Sequence, residues 1–151
     1  MQFTPIKINL FSLIKIPLNW IAGVRVIEIT NEKCVVKVKH KWINQNPFKS
    51  MFWAVQGMAA ELSTGILVMK VIANSGKKVS MLVTEQKGSF TKKATGKIIF
   101  TCKDLSKIQK AIQDSIKTGE GKVFTLISKG INEDGIKVSE FEFQWSLKVK
   151  N

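Results

Sequence analysis

The chain has one histidine, two cysteines and three prolines, and 11 acidic residues stand against 24 lysines and arginines. Each scarcity excludes something. Cys34 and Cys102 lie far apart in no metal-ligand spacing, and His40 is the lone imidazole. A zinc site built from Cys and His is therefore excluded, and no metal is expected. Two unclustered cysteines read as small buried hydrophobes in a reducing compartment, which points to a cytoplasmic protein. With few prolines, no repeat and no low-complexity tract, the composition is that of a globular chain. Its 151 residues suit a single domain, 1–151, that buries about two thirds of its unfolded surface.

The shortage of acid leaves a formal charge of +13. Such a charge attracts polyanions, and the candidates are nucleic acid, anionic lipid and phosphorylated cofactors. Many lysines alternate with apolar residues, as in Lys37-Val38-Lys39 and Lys148-Val149-Lys150, which is how a half-buried strand wets its outer face. There is no dense basic run, RNA-binding aromatic signature or DNA-reading helix, so nucleic acid is not an expected partner. Residues 1–23 contain no acid. Lys15 and Pro17 break their apolar stretch and no small-residue cleavage site follows, which argues against a signal peptide. Leu10, Leu13 and Ile14 have helical spacing and predict an N-terminal amphipathic helix over 1–16, ending before Pro17. Contact with a membrane surface through this segment stays open.

What the chain does have is one long apolar run, MFWAVQGMAAELSTGILVMKVI, from Met51 to Ile72. Glu61 sits in its middle, with Gln56, Ser63, Thr64 and Lys70 as the other polar side chains. A helix that is apolar nearly all round is buried on most sides, and a buried carboxylate needs a partner or takes up a proton. The run approaches the ~20 residues of a bilayer span. Its central polar positions and the lack of a second span favour a core helix instead.

Around this run the signals alternate. Val24–Thr30 and Lys33–Trp42 read as a hairpin about Asn31-Glu32. Cys34, Val36, Val38, His40 and Trp42 share the apolar face of its second strand. The helix is expected from about Ser50, as N-cap, to Ala73, with Asn74-Ser75-Gly76 ending it. Strands follow at Lys78–Phe90 and Gly96–Lys103. Asp104 then opens a short helix with Leu105, Ile108, Ile112 and Ile116 on one side, stopped by Gly119. Lys122–Ile131 and Ile136–Val149 form a last hairpin, with Phe141, Phe143, Trp145, Leu147 and Val149 on one face. About six antiparallel strands, apolar on one face, must cover something, and the long helix is the natural filling.

That α+β architecture, a sheet wrapped round a central helix with an N-terminal helix and a short extra one, is the hot-dog fold. The stretch Asn46-Pro47-Phe48-Lys49-Ser50-Met51-Phe52-Trp53-Ala54, followed by Ala59-Ala60-Glu61-Leu62-Ser63-Thr64-Gly65, resembles the central helix of hot-dog thioesterases of the phenylacetate-pathway type. Those proteins carry an Asn, a Gly-Thr-x-His-Gly-Gly turn into the helix, an acidic residue further along it, and a small residue one turn later. Glu61 and Gly65 fall at the last two positions. Phe90-Thr91-Lys92-Lys93-Ala94-Thr95-Gly96 looks like the family's strand-end pattern. Phe52, Trp53 and Ala54 replace the His-Gly-Gly, so the chain is similar to a thioesterase-like branch that has lost the triplet and kept the acid.

The resemblance implies an acyl-CoA or similar acyl thioester as substrate, with coenzyme A entering as part of it and no other cofactor. It also implies a homodimer or dimer of dimers with its groove between subunits. In that groove Glu61 of one chain, as base or nucleophile, would face the helix start of the other. The Phe52 and Trp53 N–H groups would receive the oxyanion, and Asn46 would orient substrate or water. Phe48, Met51, Phe52 and Met58 would line an acyl tunnel, and Lys87, Lys92 and Lys93 would meet the coenzyme phosphates. Ser50, Thr64, Gly65 and Phe90 complete the expected substrate contacts. Two other readings remain: a non-catalytic module that binds an acyl chain or lipid or serves in assembly, and a nucleic-acid-binding protein.

Overall fold

The computed structural model describes residues 2–150. Six strands form one antiparallel sheet in the order β1 (Arg25–Ile29), β2 (Cys34–Lys39), β4 (Lys97–Cys102), β5 (Lys122–Ile131), β6 (Lys137–Val149) and β3 (Val79–Phe90). The sheet wraps around α3 (Trp53–Ser75), the expected central helix of a hot-dog fold. Ala59, Ala60, Ile66, Leu67 and Val68 of α3 meet Val36, Phe100, Leu126, Phe141 and Leu147 of the sheet in one core. The helix is long and apolar enough to cross a membrane, but that apolar length is spent inside the sheet.

Two glycines of α3 face aromatic rings of β6 at distances where a β-carbon would make ordinary van der Waals contact. A β-carbon on Gly57 would lie 3.5 Å from the Phe141 ring, and one on Gly65 would lie 3.4 Å from Trp145. Polar groups that the helix carries into the core are partnered there. Ser63 Oγ donates to the Ala60 carbonyl (2.7 Å) and shares a hydrogen bond with Ser128 (2.8 Å), while the Trp145 indole donates to Thr64 Oγ1 (3.0 Å).

The two sheet edges differ. On β1, the Asn9 carboxamide donates to the Val26 carbonyl (2.8 Å) and accepts from the Val26 N–H (2.9 Å). A side chain thus stands in for the next strand and blunts that edge. β3, at the other end, has no such cover among the described residues. Its 12 residues pair with β6 on one side only, and an open edge of that length is a template for another chain.

Several expectations are corrected. The N-terminal segment folds as two helices, α1 (Pro5–Lys15) and α2 (Pro17–Ile21), because Pro17, unable to continue α1, is suited to a first helical turn. Leu10, Leu13 and Ile14 turn outward, and Ile8 and Ser12 occupy the buried face. β2 stops at Lys39, and Trp42 leaves the apolar face for an exposed 3-10 turn, Trp42–Asn44. His40 is half-buried with its Nε2 unpartnered. The central helix begins at Trp53, not Ser50, and ends at Gly76 (φ 66°). In α4 (Leu105–Thr118) Ile116 is exposed and Ser115 is buried, donating to the Glu120 carbonyl (2.7 Å) and accepting from Val149 N–H (3.1 Å). The Asp104 carboxylate takes the Ile127 N–H (3.1 Å) and does not cap α4.

Candidate active site on the central helix

Two of the hollows along α3 gather residues expected at the site. The first, about 520 Å³, opens at the helix start. It gathers Asn46, Phe48, Ser50, Met51, Phe52 and Trp53 from the approach to α3, and Phe90, Lys92 and Lys93 from the end of β3. Gln56, Pro47 and Ala94 complete it.

The approach is a tight loop organised by Asn46. Its Oδ1 accepts from the Phe48 and Ser50 N–H groups (2.9 and 3.2 Å), and its Nδ2 donates to Ser50 Oγ and the Met51 carbonyl (3.0 and 3.3 Å). Lys49 crosses this loop at φ 60°, in the left-handed region. These bonds commit the Asn46 side chain, so it holds the loop instead of orienting substrate. Ser50 belongs to the same knot and is buried, and Met51 is buried with its N–H on the Ala94 carbonyl (2.8 Å). Both support the groove from beneath.

At the helix start the Phe52 N–H, expected as an oxyanion donor, is taken by the Asn44 carbonyl (2.9 Å). The Val55 and Gln56 N–H groups turn back to the Phe52 carbonyl (3.0 and 3.3 Å), and no side chain caps the helix. Among the described residues this leaves Trp53 and Ala54 with the free N–H groups at the positive end of the helix dipole. Phe52 and Trp53 pack edge-to-face (5.9 Å) and stay half exposed beside Phe48. Lys93 Nζ reaches the Phe48 carbonyl (3.3 Å), and the exposed Lys92 side chain has no partner among the described residues.

The second hollow, about 280 Å³, lies further along the helix around Glu61. Met58, Leu62, Gly65, Ile66 and Met69 of α3 form its floor, Met81 and Trp145 one wall, and Phe11, Ile16 and Asn19 of α1 and α2 the other. Glu61 is therefore not sealed in the core, as its place in an apolar run suggested. It stands at the mouth of this cavity with solvent contact. The apolar walls thin its hydration all the same, and this desolvation raises its carboxyl above the usual carboxylate range. Among the described residues no cation or donor pairs with it. Lys70, the nearest lysine in sequence along the helix, binds the Thr30 carbonyl (2.7 Å) and Asn31.

Thr64 and Lys87 do not join either hollow. Thr64 is buried between the Trp145 indole and the Glu61 carbonyl (3.0 and 2.9 Å), so the core has claimed the hydroxyl expected to touch substrate. Lys87 pairs across the strands with Glu142 on the outer face of the sheet, beside Thr125 and Gln144. Period-two alternation puts it on the side opposite the helix.

Sequence reasoning missed Gln56. It is 4% exposed, its Oε1 has no partner, and its Nε2 makes only a long bond to the Met51 carbonyl (3.5 Å). The signal was present, since a carboxamide in an apolar helix needs a reason. The contribution of α1 and α2 to the Glu61 cavity had no sequence signal, because it arises from how those helices fold back.

Trp53 and Glu61 lie about 12 Å apart along the helix axis at the α-helical rise. One copy of the chain thus carries unpartnered donors at one place and an unpartnered acceptor at another, too far apart to act on one small group.

Solved structures share this architecture. A protein of unknown function from Pseudomonas aeruginosa, described as a probable thioesterase, is 18% identical over 97% of each chain with a TM-score of 0.81. A protein of unknown function from Chlorobaculum tepidum is 15% identical over 98% of each chain (TM-score 0.82). A thioesterase from Haemophilus influenzae is 11% identical over 99% of this chain and 93% of its own (TM-score 0.74). At these identities the likeness is one of fold. No curated protein sequence matches the chain. One family, described as "Domain of unknown function (DUF4442)", matches residues 7–147.

Proposed function

The chain belongs to the DUF4442 family, and from that premise and the two hollows on α3 we propose that it hydrolyses acyl thioesters, acyl-CoA among them, at a groove completed by a second copy. The observation that carries this reading is the unpaired Glu61 carboxylate, held above its usual pKa at the mouth of an apolar cavity. An unpaired, poorly hydrated carboxylate is a stronger base than one in water. Two copies joined edge to edge through β3, the edge that no side chain blunts, would run their central helices side by side. Glu61 of one then faces the helix start of the other.

In that arrangement the thioester carbonyl oxygen sits on the Trp53 and Ala54 N–H groups, which stabilise the negative charge that develops on it. Glu61 takes a proton from water as the water attacks, or attacks the carbonyl carbon itself. Collapse of the tetrahedral species then expels the thiolate, which takes up a proton; on the second route water hydrolyses the acyl–Glu61 anhydride, releasing the acid and the free carboxylate. Phe48, Phe52 and Phe90 cover the acyl portion near the helix start, Met58 and Gly65 border it at the Glu61 cavity, and Lys92 and Lys93 meet phosphate at the rim. The reducing compartment that keeps Cys34 and Cys102 as thiols would be the cytoplasm.

A second reading, an acyl-binding module without turnover, is favoured by the bulk of Phe52 and Trp53 where two glycines would admit a thioester closely. Thiol release from short, medium, long and aromatic acyl-CoAs decides between them. Hydrolysis that Glu61→Gln abolishes supports the enzyme. No release from the wild type beside a working control enzyme would transfer the case to the binding module.

A further inference from the structure

A helix packed on a protein surface buries an apolar stripe and shows a polar one. The N-terminal pair α1–α2 does not follow this rule. Its inner side is occupied, with Ile8 and Ser12 fully buried and Phe11 and Ile16 on the Glu61 cavity. Its outer side is apolar as well: Ile6 is 82% exposed, Ile14 65% and Leu18 66%, with Leu10, Leu13 and Ile21 also exposed. The neighbouring 3-10 turn, tied to the end of α2 by the Asn44 carboxamide on the Ala22 carbonyl (3.0 Å), adds Trp42, 82% exposed, and Ile43. Contiguous apolar surface of this kind marks a site of contact.

Charge identifies the occupant. Lys7 and Lys15 stand exposed on α1, and no acidic residue precedes Glu28. A second copy meeting this face across a two-fold axis would bring like charges together. An anionic bilayer surface would attract them, accept the leucines and isoleucines below its headgroups and hold an exposed tryptophan at the interface.

We propose that the outer face of α1–α2, with the Trp42 turn, docks on anionic phospholipid membranes, lying in the headgroup plane without crossing it. The helix pair then has lipid on one side and the Glu61 cavity on the other. This docking does not depend on thioester hydrolysis.

The test is co-sedimentation of the full chain with phosphatidylcholine vesicles and with vesicles carrying about one third phosphatidylglycerol, at low salt and at about 0.5 M salt. The expected result is binding to the anionic vesicles alone, weakened roughly tenfold or more by the salt. Leu10→Asp with Ile14→Asp should reduce it on the order of a hundredfold. Lys7→Glu with Lys15→Glu, both exposed side chains, should reduce it about tenfold. If the first pair fails to fold by far-UV circular dichroism, the lysine pair decides alone. Three results would overturn the proposal: no vesicle binding, binding indifferent to lipid charge and to the lysine pair, or an oligomer that the α1 variants dissociate while vesicles stay unbound.

Discussion

The start and the middle of α3 share one helix and present opposite chemistry. At the start, the helix dipole and two unpaired N–H groups, on Trp53 and Ala54, offer positive potential in a wide groove lined by aromatic rings and rimmed by Lys92 and Lys93. At the middle, a lone carboxylate offers negative charge in a narrower, apolar cavity. Gln56 is the one polar side chain between them, and the two just past Glu61 are taken by the core: Ser63 on Ser128, Thr64 on Trp145. Among the described residues one chain therefore holds unpaired donors and an unpaired acceptor about 12 Å apart along the helix axis. In the proposed groove a second copy would bring the two together.

The largest effect is expected at the carboxylate. Glu61→Gln should lower thioester turnover by at least about a thousandfold, the scale of losing an essential base or nucleophile. The same variant should be more resistant to heat at neutral pH. Because burial raises the folded-state pKa of Glu61 above its value in the unfolded chain, the folded state binds the proton more tightly. Stability from that group is fully present below the unfolded pKa and is lost as pH rises through the folded one. The gain from Glu61→Gln should thus appear above the raised pKa and vanish below about pH 4.5. Turnover should rise with pH over the same range, since the base must be ionised. Melting curves and pH–rate profiles read both. A variant that loses turnover while its melting temperature falls at pH 7 would make Glu61 a structural residue.

Next in size is the helix start. Phe52 already has the extended backbone (φ −59°, ψ 133°) that must precede a proline, and the Trp53 N–H has no acceptor. Trp53→Pro therefore removes one oxyanion donor at the position a helix best tolerates proline, with Trp53→Ala as the control for the lost ring. The expected loss is about a hundredfold beyond that of the alanine variant. Mixing inactive Glu61→Gln with Trp53→Pro tests whether a site is shared between subunits. If each site takes one residue from each subunit, random re-pairing puts one wild-type site in every mixed dimer and restores about a quarter of full activity. Recovery that never exceeds the sum of the parents would show that each site lies within one chain.

The sequence carried the sheet, the central helix and the likeness to hot-dog thioesterases because those rest on periodicity and on the order of elements. It was less able to tell which polar groups stay free. Asn46, Ser50 and Thr64 carry the right chemistry at the right spacing, but whether a hydroxyl or carboxamide is available is settled by hydrogen bonds to residues far away or in the next loop, such as Trp145 with Thr64. The Phe52 N–H was lost to the Asn44 carbonyl for a similar reason: the 3-10 turn placed that acceptor beside it, and 3-10 turns have little sequence signal. Glu61 looked buried because a helical run gives the apolar count and not the direction in which each residue points. The side that Lys87 takes depends on a bulge between Val83 and Glu85, which shifts the alternation along β3 and has no signal in a likeness of motifs.

A smaller effect is expected at Gln56, and it distinguishes a functional carboxamide from a packing accident. A buried amide oxygen without a partner costs about 1–3 kcal/mol. If that cost serves only the fold, Gln56→Leu should leave turnover alone and raise stability. If the group completes the groove at the helix start, turnover should fall about tenfold while the protein melts no lower than the wild type. The smallest effect belongs to the rim. Lys92→Ala with Lys93→Ala should raise the KM for coenzyme A thioesters a few-fold at low salt with kcat unchanged, because exposed lysines bind phosphate weakly and are screened. A thioester of a short, uncharged thiol should not feel the change at all. That contrast separates the two ends of the helix by what they recognise: the rim at the start reads the charge of the thiol carrier, and the cavity around Glu61 reads only the acyl chain. A substrate whose KM shifts equally with and without its phosphates would mean that the lysines act on the loop through the Lys93 bond to the Phe48 carbonyl, and the groove would then have no charge-reading end.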